Sequence, residues 1–592
     1  MQARGRNWGI PAVLLALAAG CQPGAEPIGG TGGAGAGAGT SGTAGTAGGS
    51  SGAAGTGGVV GTGGSIGGTA GTTGTGATAG ATAGRGGAAG TTAGSGAGTG
   101  GGASGRGGTT GSGGTTGSAG TTGAGGSGSG TLTLTGLTIE ANPKSVLSCF
   151  VNWTTSQAAT SVVQFGVGKY EWEIADTAAV TTHRVLVIGM HAQQAYQIKA
   201  MSTNSSGSGS VEGTFTTGTL PAQIPVGKVM INDTAWSQPG WTLMNVQKGQ
   251  GDTRARSDFP PYAVMYDSGG LPVWYYVDGT NPDIGGAVSA ELTDKGVLIG
   301  ATWNASLTTG TMPIEVDFAG NTLWQCSTAI CGGSHNINHH ASKLSNGNYM
   351  LLESVTTSGV QNAVYREVSP ANAVVWSLEY AKFVTPPSGA TGDWCHGNAI
   401  TVDIAKNVVY ANCRYAGLLK TTYTNPAKQW HLQGTYISTR IGDITWSPTN
   451  AAYSDTHDPD VHDDGSIAFY DNGGYSGGAG GTTSQFHSRV VEYQINETSK
   501  TATLTWEFPA GATVPDAWYT ANWYSPFWGG IRRLANGNYL VAAGIRAPPV
   551  ESRVFEVAKS DKKVVWEFRF PTDYGVYRAR RITPPLVRAL TP

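Results

Sequence analysis

Apolar residues in the second half of the chain fall into short runs that alternate with polar positions and end at turns. One kind of run follows a tight turn, as in SNGNYMLLE, DDGSIAFYD and ANGNYLVAA, and a second kind carries a tryptophan, as in PVWYY and VVWEF. Such runs predict antiparallel strands, and no sustained 3.6-residue period indicates helices. The tryptophan-bearing run occurs at Trp274, Trp324, Trp376, Trp430, Trp506 and Trp566.

The spacing of these runs predicts a β-propeller. Units of roughly 50 residues with several strands each are typical of propeller blades. The six tryptophan runs predict a six-bladed β-propeller over residues 225–592, in a chain of the all-β class. Because the first strand of each blade lines the centre of a propeller, residues at one register on different blades are expected to face one another.

Three histidines share one register in successive repeats. His340, His396 and His457 each stand four residues before an aliphatic residue, and a turn and another strand follow. We therefore expect their rings to converge. His339 competes with His340, since counting back from the turn glycine favours His339, whereas counting from the aliphatic residue favours His340. We prefer His340, because turns vary in length more than buried positions do.

Residues 132–220 have a different pattern, with longer alternating runs such as LTIEANPKSVLSCFVNWTT. Met190, six residues before Tyr196, and the alternating strand that follows form the tyrosine-corner pattern of a β-sandwich. The segment resembles a fibronectin type III module. Its His183 and His191 are expected at the surface or at strand ends.

The N-terminus has the pattern of an export signal. Arg4 and Arg6 precede the apolar run IPAVLLALAA, and the segment 1–21 ends in LAAGC. This ending resembles a bacterial lipobox, so Cys21 is the expected lipidation site, although an ordinary cleaved signal is an alternative. Residues 22–131 are rich in Gly, Ala, Ser and Thr and predict a disordered linker, because they offer little apolar surface to bury.

The charge of the chain bears on its binding partners, and its cysteines bear on disulfide formation. A formal net charge of −2 with 12% charged residues argues against nucleic acid, and leaves the lipid anchor as the membrane contact. In an exported chain, Cys326 with Cys331 and Cys395 with Cys413 are plausible disulfides, while Cys149 is expected to be a buried thiol. No CxxC pair indicates a metal site.

The candidate chemistry centres on the histidines and on Arg414, which closes the strand after that of His396. A guanidinium binds tetrahedral oxyanions such as sulfate or phosphate in bidentate fashion. A neutral imidazole can act as a nucleophile, and other imidazoles can move protons. Asp458, adjacent to His457, is expected to point away from the centre. We find no serine-nucleophile elbow and no phosphate-binding loop.

At these positions the chain resembles the bacterial arylsulfotransferase family. The matching motifs are PGWTLMN at 239–245, HHASKLSNGN from 339, DWCHGN at 393–398, the arginine at 414, and THDP with FYDNG between 456 and 473. The resemblance implies a periplasmic propeller that transfers a sulfuryl group from an aryl sulfate donor to a phenolic acceptor, with neither a nucleotide donor nor a cofactor.

The resemblance also implies roles for individual residues. His457 matches the nucleophile, which forms a sulfohistidine in a ping-pong reaction. His340, His396 and Arg414 match residues that hold the sulfuryl oxygens and assist proton transfer. Asn398 matches a polar residue that lines the substrate site, and His339 is a further substrate-binding candidate.

Two other functions stay open at this point. Histidines around a propeller axis could bind iron or zinc, although the positive charge of Arg414 would repel a cation. A non-catalytic binding propeller at the cell surface is the second alternative. The expected location is the periplasmic side of the outer membrane or the cell surface. The sequence is also compatible with a homodimer, and it leaves the natural donor and acceptor open.

Overall fold

A computed structural model describes the chain over residues 131–248, 262–277, 289–300, 312–332, 335–434, 442–449, 451–473, 487–525, 528–544, 552–572 and 574–590. These residues are almost entirely β-structure, as the sequence predicts. Their short helices are the α-helix Thr328–Cys331, the 3₁₀-helix Tyr380–Lys382 and the π-helix Trp518–Asn522. No helix in this part of the chain has both the length and the apolar character needed to cross a membrane.

The N-terminal module is one curled, six-stranded sheet. Its two long strands, β2 (Cys149–Gly166) and β3 (Trp172–Val187), pair with each other, and β2 also meets β1 (Leu134–Ala141) near its start and β4 (Ala195–Asn204) near its end. The buried Tyr196 hydroxyl accepts a hydrogen bond from the His191 backbone N–H at 2.8 Å, as a tyrosine corner requires. The likeness to fibronectin type III stays a prediction. The other two strands are β5 (Gly207–Thr216) and β33 (Arg588–Ala589).

The remaining described strands form six sheets, and each contains a four-stranded antiparallel meander. The first three sheets comprise β10 (Ala290–Leu292), β11 (Gly296–Ile299), β12 (Ile314–Asp317) and β13 (Thr322–Gln325); β14 (Asn336–Lys343), β15 (Tyr349–Thr357), β16 (Val360–Val368) and β17 (Val374–Glu379), with β18 (Gly392–Asp393) beside β16; and β19 (Gly397–Asp403), β20 (Val408–Cys413), β21 (Gly417–Thr422) and β22 (Lys428–Leu432).

Two of the other three sheets carry an additional outer strand. They comprise β24 (Thr456–Val461), β25 (Ser466–Asp471), β26 (Arg489–Asn496) and β27 (Thr501–Phe508), with β23 (Thr445–Ser447) outside; β28 (Gly530–Arg533), β29 (Tyr539–Ala543), β30 (Arg553–Val557) and β31 (Val564–Arg569), with β6 (Lys228–Asn232) outside; and β32 (Tyr574–Ile582), β7 (Trp241–Lys248), β8 (Tyr262–Tyr266) and β9 (Pro272–Val277).

The innermost strands form a closed ring. Strand β14 contacts β19, and β24, β28, β32 and β10 continue the series, with β11 completing the return to β14. The last sheet closes the ring by pairing β32, near the C-terminus, with β7 from the start of the propeller. The β-propeller prediction is confirmed, and the number of sheets in the described residues equals the number of predicted blades.

The repeated tryptophans connect neighbouring sheets. They lie on the outermost strand of each meander, and four of their indole N–H groups donate to backbone carbonyls in a turn of the next sheet, at 2.9–3.1 Å. A large apolar ring with one donor suits a junction that offers packing surface and one acceptor. The pairs are Trp274 with Phe318, Trp376 with Tyr423, Trp506 with Lys559, and Trp566 with Ser268.

The module packs tightly against the propeller. Its core residues, such as Trp153 and Met190, belong to the same apolar cluster as Trp241 and Trp274. His191 Nε2 is hydrogen-bonded to Asp267 Oδ2 on the propeller at 2.8 Å. Strand β33, the last described strand, pairs with β3 of the module and so lies outside the six sheets.

The other expectations have mixed outcomes. The Cys326–Cys331 and Cys395–Cys413 disulfides are confirmed, and Cys149 is a buried free thiol whose pKa burial raises. The expectation for His183 is wrong, because this residue is buried against Trp153 and held by two hydroxyls. The export signal 1–21, the lipidation site Cys21 and nearly all of the linker 22–131 lie outside the described residues.

Candidate active site

Irregular pairing occurs at one end of several inner strands. The pairing register shifts between Ile337 and Ala341 in β14, directly after Gly397 in β19, and directly after His457 in β24. Such bulges bend a strand and redirect the side chains on it. Positive φ angles occur at the same level, at His339 (56°) and His396 (52°). The backbone therefore departs from regular strand geometry where the predicted histidines lie.

Three histidines converge at this level. The His339 and His396 rings lie 5.0 Å apart, and Tyr577 is 5.8 Å from His339 and 5.7 Å from His457. All four residues are buried. We call His339, His396, His457 and Arg414 the histidine cluster.

Hydrogen bonds determine the tautomer of His457. Its Nδ1 lies 2.7 Å from the Asn472 side-chain oxygen, which can only accept, so Nδ1 carries the hydrogen. The amide of Asn472 is itself fixed, since its nitrogen donates to the Ser525 and Trp528 carbonyls at 2.8 and 2.7 Å. The His457 Nε2 atom is therefore a bare lone pair, and it has no hydrogen-bond partner among the described residues.

The surroundings of His457 keep its ring neutral. Burial, and then the positive charge of Arg414, hold the pKa of His457 well below the ordinary value of an imidazole. The bond with Asn472 opposes this effect without reversing it. A neutral, buried imidazole with a free Nε2 is the form that a nitrogen nucleophile requires.

His396 is paired with a carboxylate. Its Nδ1 is hydrogen-bonded to Asp393 Oδ2, and its backbone N–H donates to Asp393 Oδ1 at 2.8 Å. Burial would raise the pKa of Asp393, but its contacts with His396 lower it below the usual range. A carboxylate at Nδ1 orients the ring and stabilises positive charge on it when the ring takes up a proton.

Arg414 is held beside His396 and His457. Its Nε and Nη2 both lie 2.7 Å from Asp455 Oδ2, and its backbone N–H donates to the His396 carbonyl at 2.9 Å. The guanidinium carbon lies 5.0 Å from the centre of the Tyr415 ring. These contacts fix the orientation of a cation that can bind an oxyanion.

Asn398 is part of the framework under the site. Its amide nitrogen donates to the Thr456 carbonyl at 2.7 Å, and its oxygen accepts from Asn412 at the same distance. The side chain thus ties β19 to the residue preceding His457. The structure places Asn398 next to the site, with its amide already engaged by the protein.

The expected register of His340 is corrected by the structure. His340 Nδ1 accepts from Arg578 Nη1 at 2.9 Å, and its Nε2 bonds to Ser342 Oγ at 3.1 Å. His339, instead, faces His396. The physical reason is the size of the bulge: β14 contains two extra residues there, whereas β19 and β24 contain one, so a count of four from the aliphatic residue is one residue short.

A second polar group begins beside the histidine cluster on β24 and continues on the inner strands β28 and β32. Asp458 is buried and contacts Arg532 at 2.9 Å, Arg580 at 3.1 Å and Arg578 at 3.2 Å. Burial would raise the pKa of Asp458, but the three guanidinium groups hold it far below its usual range. We call Asp458, Arg532, Arg578 and Arg580 the arginine cluster. The expectation that Asp458 points away from the centre is not confirmed, because the arginines that contact it come from the inner strands β28 and β32.

An open cavity of about 270 Å³ lies beside Asp393, the partner of His396. Its wall includes Asp393, Trp394 and Tyr415, together with the segment 387–391. Tyr415 also contacts the His396 ring at 5.4 Å. The cavity therefore offers aromatic surface next to the Asp393–His396 pair.

Several residues of the site were not found from the sequence. Asn472 lies in the FYDNG motif and Asp455 directly precedes THDP, so both carried a local signal. Tyr577 lies in GVYRARR near the C-terminus and carried none. Over the residues that can be described, His, Cys, Asp and Glu side chains form no group of three or more that could hold a metal ion.

Comparison with known proteins gives one strong match. Residues 228–578 match the family model described as Arylsulfotransferase (ASST). No curated protein matches the chain.

Several solved structures are similar at low identity. A quinonprotein alcohol dehydrogenase-like protein from Bacteroides thetaiotaomicron is 10% identical, with 73% of this chain and 94% of that chain covered and a TM-score of 0.29. A putative 6-phosphogluconolactonase from Bacteroides uniformis is also 10% identical, with coverage of 73% and 100% and a TM-score of 0.29.

Proposed function

Because the chain belongs to the arylsulfotransferase family, we propose that it moves a sulfuryl group from an aryl sulfate ester to a phenol through a sulfohistidine at His457. The reaction is ping-pong and uses no nucleotide sulfate donor. Family membership supports a sulfotransferase acting on aryl substrates in general. The intermediate and the order of steps are inferred from the chemistry of the site.

The observation that carries the proposal is the free Nε2 of His457. The bond from Nδ1 to Asn472 and the low pKa keep this nitrogen unprotonated and available. In the first half-reaction, the Nε2 lone pair forms a bond to sulfur and the S–O bond to the aryl group breaks. The electron pair of that bond leaves on the phenolate oxygen.

Arg414 and His339 supply charge stabilisation. The three sulfuryl oxygens carry negative charge as the S–O bond breaks, and fixed donors in a buried site stabilise such charge strongly. Arg414 is oriented by Asp455 and His339 by the inner strand, so both are placed before substrate binds. His340 is assigned to the framework, since Arg578 and Ser342 occupy its two nitrogens.

The Asp393–His396 pair moves the proton. His396 in its protonated form gives a proton to the departing phenolate, and so becomes neutral. In the second half-reaction it removes the proton from the acceptor phenol, whose oxygen attacks sulfur and displaces His457. The proton given up in the first half-reaction is recovered in the second, so the enzyme returns to its starting state.

The cavity beside Tyr415 suits an aryl group. Aromatic rings pack favourably on other aromatic rings, and Trp394 and Tyr415 offer such surfaces near His396. We propose that the aryl parts of donor and acceptor enter there in turn. Both phenolic oxygens must lie opposite Nε2 across sulfur, so a single aryl subsite serves both half-reactions.

The N-terminus supports an exported lipoprotein. From the apolar run and the LAAGC ending we propose that Cys21 is lipidated. We propose that the Gly-rich segment is a tether between the lipid and the folded part. In this proposal the enzyme works at the periplasmic side of the outer membrane or at the cell surface. A homodimer stays a prediction.

Stopped-flow measurement of nitrophenol release from 4-nitrophenyl sulfate, with full-length protein and no acceptor, tests this function. We expect a burst of one equivalent per active site, followed by turnover when a phenol is added. Parallel double-reciprocal plots for donor and acceptor would support the ping-pong order. Folded protein that gives neither burst nor turnover would contradict the proposal and favour a binding propeller.

A further inference from the structure

Tyr577 lies inside the histidine cluster but has no role in the reaction described above. It is on β32, at a bulge between Val576 and Ala579. The bulge directs Tyr577 towards the histidines and its neighbour Arg578 into the arginine cluster. Tyr577 is fully buried.

The contacts of Tyr577 connect two site histidines. Its hydroxyl lies 3.2 Å from His339 Nδ1. Its ring packs edge-on against His457, with ring centres 5.7 Å apart and an angle of 82° between planes, and also against Trp528 at 5.7 Å. One side chain thus contacts both the nucleophile and an imidazole of the opposite strand.

Three other buried tyrosines of the propeller satisfy their hydroxyls differently. Tyr365, Tyr453 and Tyr493 each donate to a backbone carbonyl, at 2.7–2.9 Å. A phenol buried only for packing needs no more than such an acceptor. The hydroxyl of Tyr577, by contrast, meets a titratable ring nitrogen in the site.

The direction of the hydrogen bond between Tyr577 and His339 decides which ring nitrogen of His339 carries the hydrogen. If the phenol donates to Nδ1, the hydrogen of a neutral His339 resides on Nε2, which becomes a donor for a sulfuryl oxygen. His339 also has a positive φ, so surrounding contacts must hold its conformation. Tyr577 supplies one of these contacts.

Building on the proposed function, we infer that Tyr577 is a positioning residue for sulfuryl transfer. Its hydroxyl sets the tautomer of His339 with hydrogen on Nε2, and its ring fixes the plane of His457. The role acts through these two imidazoles, so its loss should lower kcat and leave KM for the aryl sulfate nearly unchanged.

The test compares Tyr577→Phe with Tyr380→Phe. Tyr380 is a matched control, because its hydroxyl is also buried and lies 2.9 Å from a histidine nitrogen, His431 Nε2, outside the histidine cluster. We expect Tyr577→Phe to lower kcat by about 10- to 100-fold, the loss typical for outer-shell partners of functional side chains. Tyr380→Phe should leave kcat and KM unchanged.

A kcat of Tyr577→Phe within twofold of wild type would overturn the inference, as would an equal loss in Tyr380→Phe. Absence of a nitrophenol burst in the wild-type protein would instead contradict the proposed function. NMR of ¹⁵N-histidine-labelled wild-type protein gives a second test that needs no variant at position 577. Hydrogen on Nε2 of His339 supports the inference, and hydrogen on Nδ1 overturns it.

Discussion

The histidine cluster and the arginine cluster meet on β24, where His457 and Asp458 are adjacent, but their polar groups are satisfied differently. In the first, His457 Nε2 is buried without a hydrogen-bond partner from the described residues. In the second, three guanidinium groups surround the carboxylate of Asp458. The difference separates a neutral imidazole with an open ring nitrogen from a charged group in which every arginine is tied to one carboxylate.

Neighbouring residues fall into different clusters because of the bulges. His457 and Asp458 are adjacent, as are Tyr577 and Arg578, and His339 and His340. In each pair, one residue contacts the histidine cluster and the other contacts the arginine cluster. A regular strand would also send adjacent side chains to opposite faces, but the bulge decides which residue takes which side.

The largest expected effect is that of His457→Ala. Removal of the nucleophile should lower sulfuryl transfer on the order of 10⁴-fold or more, as for other covalent catalysts. The substitution removes a single hydrogen bond to Asn472, so the protein should stay folded. Steady-state nitrophenol release checks the rate, and circular dichroism checks the fold. A rate of nitrophenol release within tenfold of wild type would contradict the view that the histidine cluster is the reacting site.

Asp458→Asn, one residue away, should show the reverse pattern. Three arginines would lose their buried counter-charge, and breaking a buried ion pair costs about 3–5 kcal/mol of unfolding free energy. Urea denaturation measures this loss. At a temperature where the variant is folded, the nitrophenol burst should persist. Unchanged stability with a lost burst would show that Asp458 belongs to the reacting site.

His339→Ala and His340→Ala separate the two clusters within one dipeptide. Loss of His339 removes a proposed donor to the sulfuryl oxygens, and removal of one such donor costs about 10²–10³-fold in kcat. Loss of His340 leaves Arg578 with one partner fewer and should mainly lower stability. Parallel kinetics and denaturation of both variants give the result. A larger kcat loss in His340→Ala would restore the register that the sequence favoured.

Asn472→Ala should have a smaller effect on rate. Without the amide oxygen, His457 can populate the tautomer with hydrogen on Nε2, and we expect about a 10- to 100-fold loss in kcat. Asn538→Ala is the matched control, because Asn538 is also a buried amide, bonded to the Trp236 carbonyl and Glu556. Comparable kcat losses in the two variants would indicate a general packing defect.

The smallest expected effect is a shift in pH dependence. Protonation of His457 at low pH removes the nucleophile, and its pKa lies well below the usual imidazole value. The acid limb of the burst rate should therefore lie below that value. Arg414→Gln removes a charge that lowers this pKa, so the acid limb should move to higher pH. No shift, or a shift to lower pH, would contradict the role of Arg414 charge.

The sequence predicted the elements that repeat and missed those that depend on ring closure. The six tryptophans indicated the blades because each occupies an equivalent junction between sheets. His396 and His457 were predicted from their common register, and Arg414 from its place at the end of the strand after that of His396. His339 was not preferred over His340, because the size of a bulge leaves no signal in hydrophobic spacing.

Tyr577 could not be found from local pattern. It meets His339 across 238 residues of sequence, and only the pairing of β32 with β7 brings it into the site. The partners of Asp458 are similar, since Arg532, Arg578 and Arg580 come from two later strands. The positions of these three arginines in the sequence gave no indication that they share one buried carboxylate.

The most direct test of the account is to locate the sulfuryl group after brief mixing of the full-length protein with 4-nitrophenyl sulfate. Tandem mass spectrometry under non-acidic conditions would distinguish the histidines by sequence. We predict a single acid-labile sulfuryl group on His457 and none on His340. Modification at His340, or nitrophenol release without any histidine adduct, would contradict the assignment of the two clusters.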